Sequence, residues 1–285
     1  MKNHRPRRFI ETAYRGRSVA VGTRHGKQHQ FAPAFRDVIG VQLVTPPDLD
    51  TDRFGAFTGE VARAGTATEA ARGKARLAMD RAELPYGLAS EASYGVLPGG
   101  WFGHEEILLF CDEVLGIEIL EGHRSTFVPG AAHRVSHVAD LPDALLAGLP
   151  GQALTVRPWA ATTGVVKGIT DSDGLAAAIT AAVDTSPEHL ALVEPDLRAH
   201  HNPSRRQVLR RLADTLVRRL ATGCPACGTP GFGRIDAVAG LSCRLCDTPT
   251  PLVGAEIHAC ASCAHQQIRP VSGSADPAVC PSCNP

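Results

Sequence analysis

The stretch Ser18-Val19-Ala20-Val21-Gly22-Thr23-Arg24-His25-Gly26-Lys27 passes from a short apolar run into a polar turn carrying two glycines. Such a run reads as a buried strand, and the residues that follow, to about Asp37, read as a helix. A strand–loop–helix unit near the start of a chain opens an α/β fold. In that fold the loop at the strand's end exposes backbone N–H groups to phosphate, and a lysine supplies the counter-charge. Thr23 and Lys27 are therefore candidate phosphate contacts.

Outward from this unit, strand and helix signals alternate. Val38 to Val44 is a second apolar run, and Pro46 to Gly59 is a loop rich in Pro, Asp and Gly. Residues 67–82 carry alanines at 67, 71, 75, 78 and 82, an apolar stripe at helical spacing. Tyr86 to Ala89 and Ile107 to Cys111 are strand-like, and Val114 to Leu120 completes a hairpin with the latter. Leu141 to Leu149, Leu175 to Val183 and Ser204 to Ala221 read as helices. Ala153 to Val156, Gly164 to Ile169 and Leu190 to Val193 read as short strands. The helix from 204 is the best defined, with Asn202 as N-cap, Pro203 in its first position and Val208, Leu209, Leu212, Leu216 and Leu220 on one face. Arg205 and Arg206 fall in its first turn, where positive charge opposes the helix dipole unless an anion sits there. The plainer reading is a solvated arginine face.

The cysteines set a second boundary. Only Cys111, amid Ile107 to Phe110, precedes residue 224, and it reads as a buried apolar thiol. The other eight form four Cys-x-x-Cys pairs: Cys224 and Cys227, Cys243 and Cys246, Cys260 and Cys263, Cys280 and Cys283. Each pair makes a knuckle that places two thiolates on one Zn²⁺, and two knuckles complete a tetrahedral site with no open position. Two structural zinc ions are expected, supplying folding free energy to a segment poor in large apolar side chains. Pairing in sequence order, as a double zinc ribbon, is favoured over crossed pairing. His258 and His265 are read as bystanders. The chain thus divides into a basic N-terminal tail (1–17), an α/β body with a mixed sheet flanked by helices (18–222) and a zinc-bound tail (223–285).

The 285 residues hold 29 Lys plus Arg against 29 Asp plus Glu, so the formal net charge is zero. That balance and 5% aromatics speak against a protein that coats nucleic acid or stacks many bases. The neutrality is divided, however. Residues 1–17 carry six basic groups against one acid, and residues 204–222 again six against one. The 18–203 stretch has 14 against 23, and the tail three against four. A local phosphate site therefore stays open. Only four of the basic residues are lysines: Lys2, Lys27, Lys74 and Lys167. No apolar run approaches the roughly 18–20 residues of a membrane span, and none follows the basic start, so a cytoplasmic location is expected.

Further candidates lie at Gly65-Thr66-Ala67-Thr68-Glu69-Ala70-Ala71-Arg72-Gly73-Lys74-Ala75 and at Leu88-Ala89-Ser90-Glu91-Ala92-Ser93-Tyr94-Gly95. Thr66 and Glu69 have capping-box spacing, so Glu69 is either a cap or a ligand. In their order these segments resemble the inosine-triphosphate pyrophosphatase type of house-cleaning nucleotide hydrolases. Thr23 to Lys27 resembles that family's Ser/Thr-Asn-x-x-Lys loop, with Arg24 in place of Asn. Gly65, Thr66, Glu69, Ala71, Lys74 and Ala75 match its Gly-Thr-x-x-Glu-Asn-Ala-x-x-Lys-Ala helix, with Ala70 in place of Asn. Leu84 and Pro85 match the approach to an Asp-Asp-Ser-Gly turn, where Ser90-Glu91 stands for the aspartates. Ser204, Arg205 and Arg206 fall at its Ser-His-Arg. Over its whole length the chain also resembles an uncharacterised bacterial domain family, through Asp50-Thr51-Asp52-Arg53-Phe54-Gly55, Ala89 to Gly95, Asp196 to Pro203 and the cysteine tail.

The first resemblance implies a metal-dependent hydrolase of a nucleotide-like phosphoanhydride, with Glu69 and Glu91, joined by Glu60, on Mg²⁺. Lys27, Lys74, Arg205 and Arg206 would hold phosphate, and Glu91 is the alternative base. The rival is a non-catalytic protein that binds a nucleotide, with ribbons docking RNA or protein; an oligomer is compatible with either. His200 and His201 read as surface or capping residues, and Asp112 with Glu113 as a hairpin turn.

Overall fold

In the computed structural model, residues 13–55, 61, 63–97, 100–126 and 131–285 are described. Glu60 and most of the basic 1–17 tail lie outside them. The opening apolar run is strand β1 (Ser18–Val21), followed by helix α1 (Gln28–Ile39) and β2 (Gln42–Val44). Helix α2 (Ala67–Ala82) leads into β3 (Tyr86–Val96), β4 (Phe102–Asp112) and β5 (Ile117–Ser125). These strands form one mixed sheet in the order β2-β1-β3-β4-β5. β1 is parallel to β2 and β3, and β3, β4 and β5 run antiparallel in succession.

Helices cover this sheet on both faces because its strands are apolar on both sides. Val19, Val21, Leu88, Leu108, Phe110 and Ile119 pack against Phe31 and Phe35 of α1 and Leu209, Leu212 and Leu216 of α5 (Pro203–Leu220). On the opposite face, Ala20, Ala89, Leu109 and Cys111 meet the alanine stripe of α2. The expected mixed α/β sheet with flanking helices is what the chain forms.

A second sheet, β6-β9-β7-β8, is antiparallel and built from β6 (His133–Val135), β7 (Leu154–Pro158), β8 (Val166–Ile169) and β9 (Ala191–Pro195). Helix α4 (Ser172–Thr185) covers it through Leu175, Ala178, Ile179 and Ala182. The helix expected over 141–149 shortens to one turn, α3 (Asp143–Leu146), since Gly148, Pro150 and Gly151 cannot prolong it. The tail holds β10 (Gly233–Ala239), β11 (Val253–Ala259) and β12 (Gln266–Pro270) as an antiparallel sheet. Among the described residues no helix is long and apolar enough to cross a membrane.

Two strands run well past their expected ends. β3 continues through Ser90 and Glu91 to Val96, and β4 begins five residues before Ile107. The polar residues that broke the apolar pattern, Ser90, Glu91, His104 and Glu106, are all buried within these strands. Ser90, Glu91 and Glu106 are matched by Lys27, Lys74 and Arg205 from outside the sheet, and His104 bonds to Glu106 and stacks on Tyr94 of β3.

Candidate functional site

A cleft of about 90 Å³ opens at the carboxyl end of β1, between the first sheet and the second. Strand ends at which neighbouring connections diverge are where α/β sheets bind ligands. Gly22, Thr23 and Lys27 of the β1–α1 loop form one wall. A side chain at position 22 is excluded, because a Cβ there would lie 2.2 Å from the Lys74 carbonyl oxygen. The loop can therefore lie directly on α2. Lys74 of α2, Ser90 and Glu91 of β3 and Arg205 of α5 form the floor, and Lys167 of β8 and Arg198 after β9 line the cleft from the second sheet.

Six cations thus line the cleft, Arg24, Lys27, Lys74, Lys167, Arg198 and Arg205, against two carboxylates, Asp52 and Glu91. Lys27, Lys74, Arg24, Arg198 and Arg205 are each held in place. The Lys27 ammonium donates to Ser90 Oγ at 3.0 Å. Lys74 Nζ donates to Glu91 Oε2 at 2.6 Å, and Arg63 approaches the other carboxylate oxygen at 3.4 Å. Arg24 pairs with Asp52 at 2.7 Å. Arg198 grips Asp196, which is 1% exposed, with Nη2 at 2.6 Å, and Asp196 also accepts the Gly168 N–H at 3.1 Å. One buried carboxylate thereby fixes both an arginine of the cleft and the strand that carries Lys167.

Arg205 is 1% exposed and forks onto Glu106, itself wholly buried, at 2.8 and 3.0 Å. It also donates to the Leu197 carbonyl. Burial pushes the Glu106 carboxyl up, but Arg205, the His104 hydrogen bond and Lys27 outweigh it and hold the group below its ordinary value. Burial brings the Lys27 ammonium down to about 8; Glu106 opposes this, while Arg205 and Lys74 add to it. The cleft is therefore a preorganised, partly desolvated concentration of positive charge, which suits a small polyanion.

Of the sequence candidates, Thr23, Lys27, Lys74, Glu91 and Arg205 meet in this cleft. Glu69 is not among its lining residues. Its carboxylate accepts the Thr66 N–H at 2.7 Å and the Thr66 hydroxyl at 2.9 Å, completing a capping box at the start of α2. Arg206 turns to the His200 carbonyl oxygen at 2.7 Å and does not line the cleft either. Asp52, Arg24, Arg198 and Lys167 were not singled out as contacts. Two signals pointed to them: the 50–55 and 196–203 stretches, and the rarity of lysine. Three of the four lysines in the chain line this one cavity.

The cysteines form two clusters, Cys224, Cys227, Cys260 and Cys263, and Cys243, Cys246, Cys280 and Cys283. Pairing is therefore crossed, first knuckle with third and second with fourth, and the sequential ribbons expected from chain order do not form. Strand count explains the correction. One strand separates successive knuckles, so each is carried to the opposite end of the antiparallel sheet and alternate knuckles meet. Gly233 at the start of β10 pairs with Ala259 at the end of β11, which brings Cys260 beside Cys224. Sγ separations of 3.4–3.9 Å within the clusters match the edge of about 3.8 Å that a tetrahedron with Zn–S near 2.3 Å requires. Both sets fit structural zinc. His258 and His265 belong to neither cluster and bond to Glu256 at 3.0 Å and Gln267 at 3.3 Å.

Comparison with family models matches residues 74–285 to the domain of unknown function DUF6671. No curated protein matches the chain, and no solved structure matches it. The match spans most of the chain and includes both cysteine clusters, so the protein belongs to the DUF6671 family.

Proposed function

We propose that this member of the DUF6671 family holds the phosphate chain of a nucleotide-like molecule in its cationic cleft and hydrolyses a phosphoanhydride there. The observation that carries the reading is the convergence of Lys27, Lys74, Lys167, Arg24, Arg198 and Arg205 on one cavity that two carboxylates line, with Arg198 and Arg205 held by the buried Asp196 and Glu106. The motif resemblance to inosine-triphosphate pyrophosphatases supports it, since Thr23, Lys27 and Lys74 lie at matching motif positions, while Glu91 stands for an aspartate and Arg205 for the histidine of that pattern.

Lys27 would donate to a phosphate oxygen while keeping its bond to Ser90, and Arg205, Arg198 and Lys167 would stabilise charge developing on the phosphate. Asp52 and Glu91 are the carboxylates that face the cavity. Hard oxygen donors of this kind suit Mg²⁺, which commonly takes one or two carboxylates and completes its shell with water and substrate phosphates. Bound there, the ion would polarise the phosphate and acidify the attacking water. Among the described residues the groups of three or more potential metal ligands are the two cysteine sets, so Asp52 and Glu91 are the donors this cavity offers.

A second reading, binding without turnover, is favoured by one contact: Glu91 is committed to Lys74 at 2.6 Å. A screen of canonical and modified nucleoside triphosphates with Mg²⁺ or Mn²⁺ separates the two. Hydrolysis by the wild type that falls at least tenfold in Glu91→Gln supports the first reading. Binding without hydrolysis supports the second. Absence of both sinks the phosphate assignment.

A further inference from the structure

The phosphate chain would occupy the cationic cavity, and the rest of a nucleotide-sized ligand would extend past it towards His25, which lines the cavity as well. There the loop after β1 meets the segment between β9 and α5, and three imidazoles gather. The His25 and His200 rings stack with centroids 5.0 Å apart and planes inclined by 23°. His200 and His201 follow at 3.9 Å and 46°. His25 is the member that also lines the cavity. Its side chain keeps 29% of its surface exposed, and its Nε2 lies 3.6 Å from Asp52. His201 closes the other end against Gly168, where a Cβ would lie 2.9 Å from its Nε2 and φ is +74°.

From this arrangement we propose that the His25–His200 stack is a ring-binding subsite, and that the ligand carries a flat aromatic group, of nucleobase type, that extends the row at its His25 end. This rests on the phosphate reading above and adds the second half of the ligand. Stacking discriminates little among bases, because every base presents a π face. The subsite therefore selects for the presence of a ring. The state of the imidazoles agrees. Burial lowers the pKa of His25, and Arg198, Lys27 and Arg24 add to the effect while Asp52 opposes it. Burial, His201 and His25 bring His200 to about 4. Near pH 7 the His200 ring is neutral and stacks without adding charge beside the phosphate cations.

The test is calorimetric titration of the full chain with inorganic tripolyphosphate, with adenosine triphosphate and with inosine triphosphate, all without divalent metal so that nothing turns over. The two nucleotides are expected to bind about tenfold more tightly than tripolyphosphate, the size of one aromatic contact. In His25→Ala that ratio falls towards one. In His25→Phe, which keeps a ring and loses the nitrogen atoms, it is restored. Tripolyphosphate binding in each variant reports that the cleft has folded. Equal affinity of tripolyphosphate and nucleotides in the wild type, or a ratio unaffected by His25→Ala, overturns the ring subsite and leaves the phosphate reading standing. Failure of tripolyphosphate and nucleotides alike to bind overturns both.

Discussion

Arg205 and Glu106 lie at 1% and 0% side-chain exposure, where either charge alone would be severely penalised. Their two-pronged contact makes the pair tolerable and fixes the guanidinium at the cleft floor. Glu106→Leu should therefore cost about 3–5 kcal/mol in urea denaturation, and Arg205→Met together with Glu106→Leu should recover much of it. A loss under about 1 kcal/mol in the single variant would mean that the charge is not truly buried. The pair also makes stability depend on acid. The folded pKa of Glu106 is held down, so its contribution is complete above the unfolded value, about 4.3, and is lost as pH falls through the folded one. Lys27 sets a second pH limit. At about 8 its ammonium is charged at pH 7 and largely lost by pH 9. Pyrophosphate affinity should drop across that interval in the wild type and drop less in Lys27→Arg, as read by titration at each pH.

Two helices begin with equally good caps and serve different ends. Thr66 and Glu69 close the capping box of α2 on an exposed surface, while Asn202, fully buried, accepts the Arg205 N–H at 3.1 Å. Thr66→Ala should cost about 1 kcal/mol and leave phosphate binding intact. Asn202→Ala should cost about 1–2 kcal/mol and also weaken phosphate binding, because the cap holds the turn that aims Arg205. Paired denaturation and binding measurements on the two variants test this difference. Both caps were legible in the sequence, as was the alanine stripe of α2, because each is a local pattern. The full lengths of β3 and β4 were not. Ser90, Glu91, His104 and Glu106 interrupt their apolar runs, and the partners of Ser90, Glu91 and Glu106 come from the β1–α1 loop, α2 and α5, while His104 bonds to Glu106. Where local pattern and fold disagree, the chain has placed its candidate site.

Across the molecule, crossed cysteine pairing ties the tail into one unit, since β10, β11 and β12 each link one zinc set to the other. Metal counting tests the pairing directly. Wild type should hold two zinc ions per chain, Cys224→Ser with Cys263→Ser should keep one, and Cys224→Ser with Cys243→Ser should keep none. Sequential pairing would reverse the last two results. The near-equal gaps between knuckles, each long enough for one strand, were the available signal, but strand number decides pairing only once the sheet is known. The phosphate cleft was legible in part for a similar reason. Thr23, Lys27, Lys74, Glu91 and Arg205 sit in recognisable motifs, whereas Lys167 and Arg198 reach the cavity only because the second sheet packs beside the first. Lys27 and Lys167 line the same cavity from different sheets, and the claim that they grip one anion is the centre of the account. Calorimetric titration with inorganic pyrophosphate at pH 7 tests it most directly. Binding by the wild type that weakens at least tenfold in both Lys27→Met and Lys167→Met is the expected result; no binding, or binding that either variant leaves intact, would contradict it.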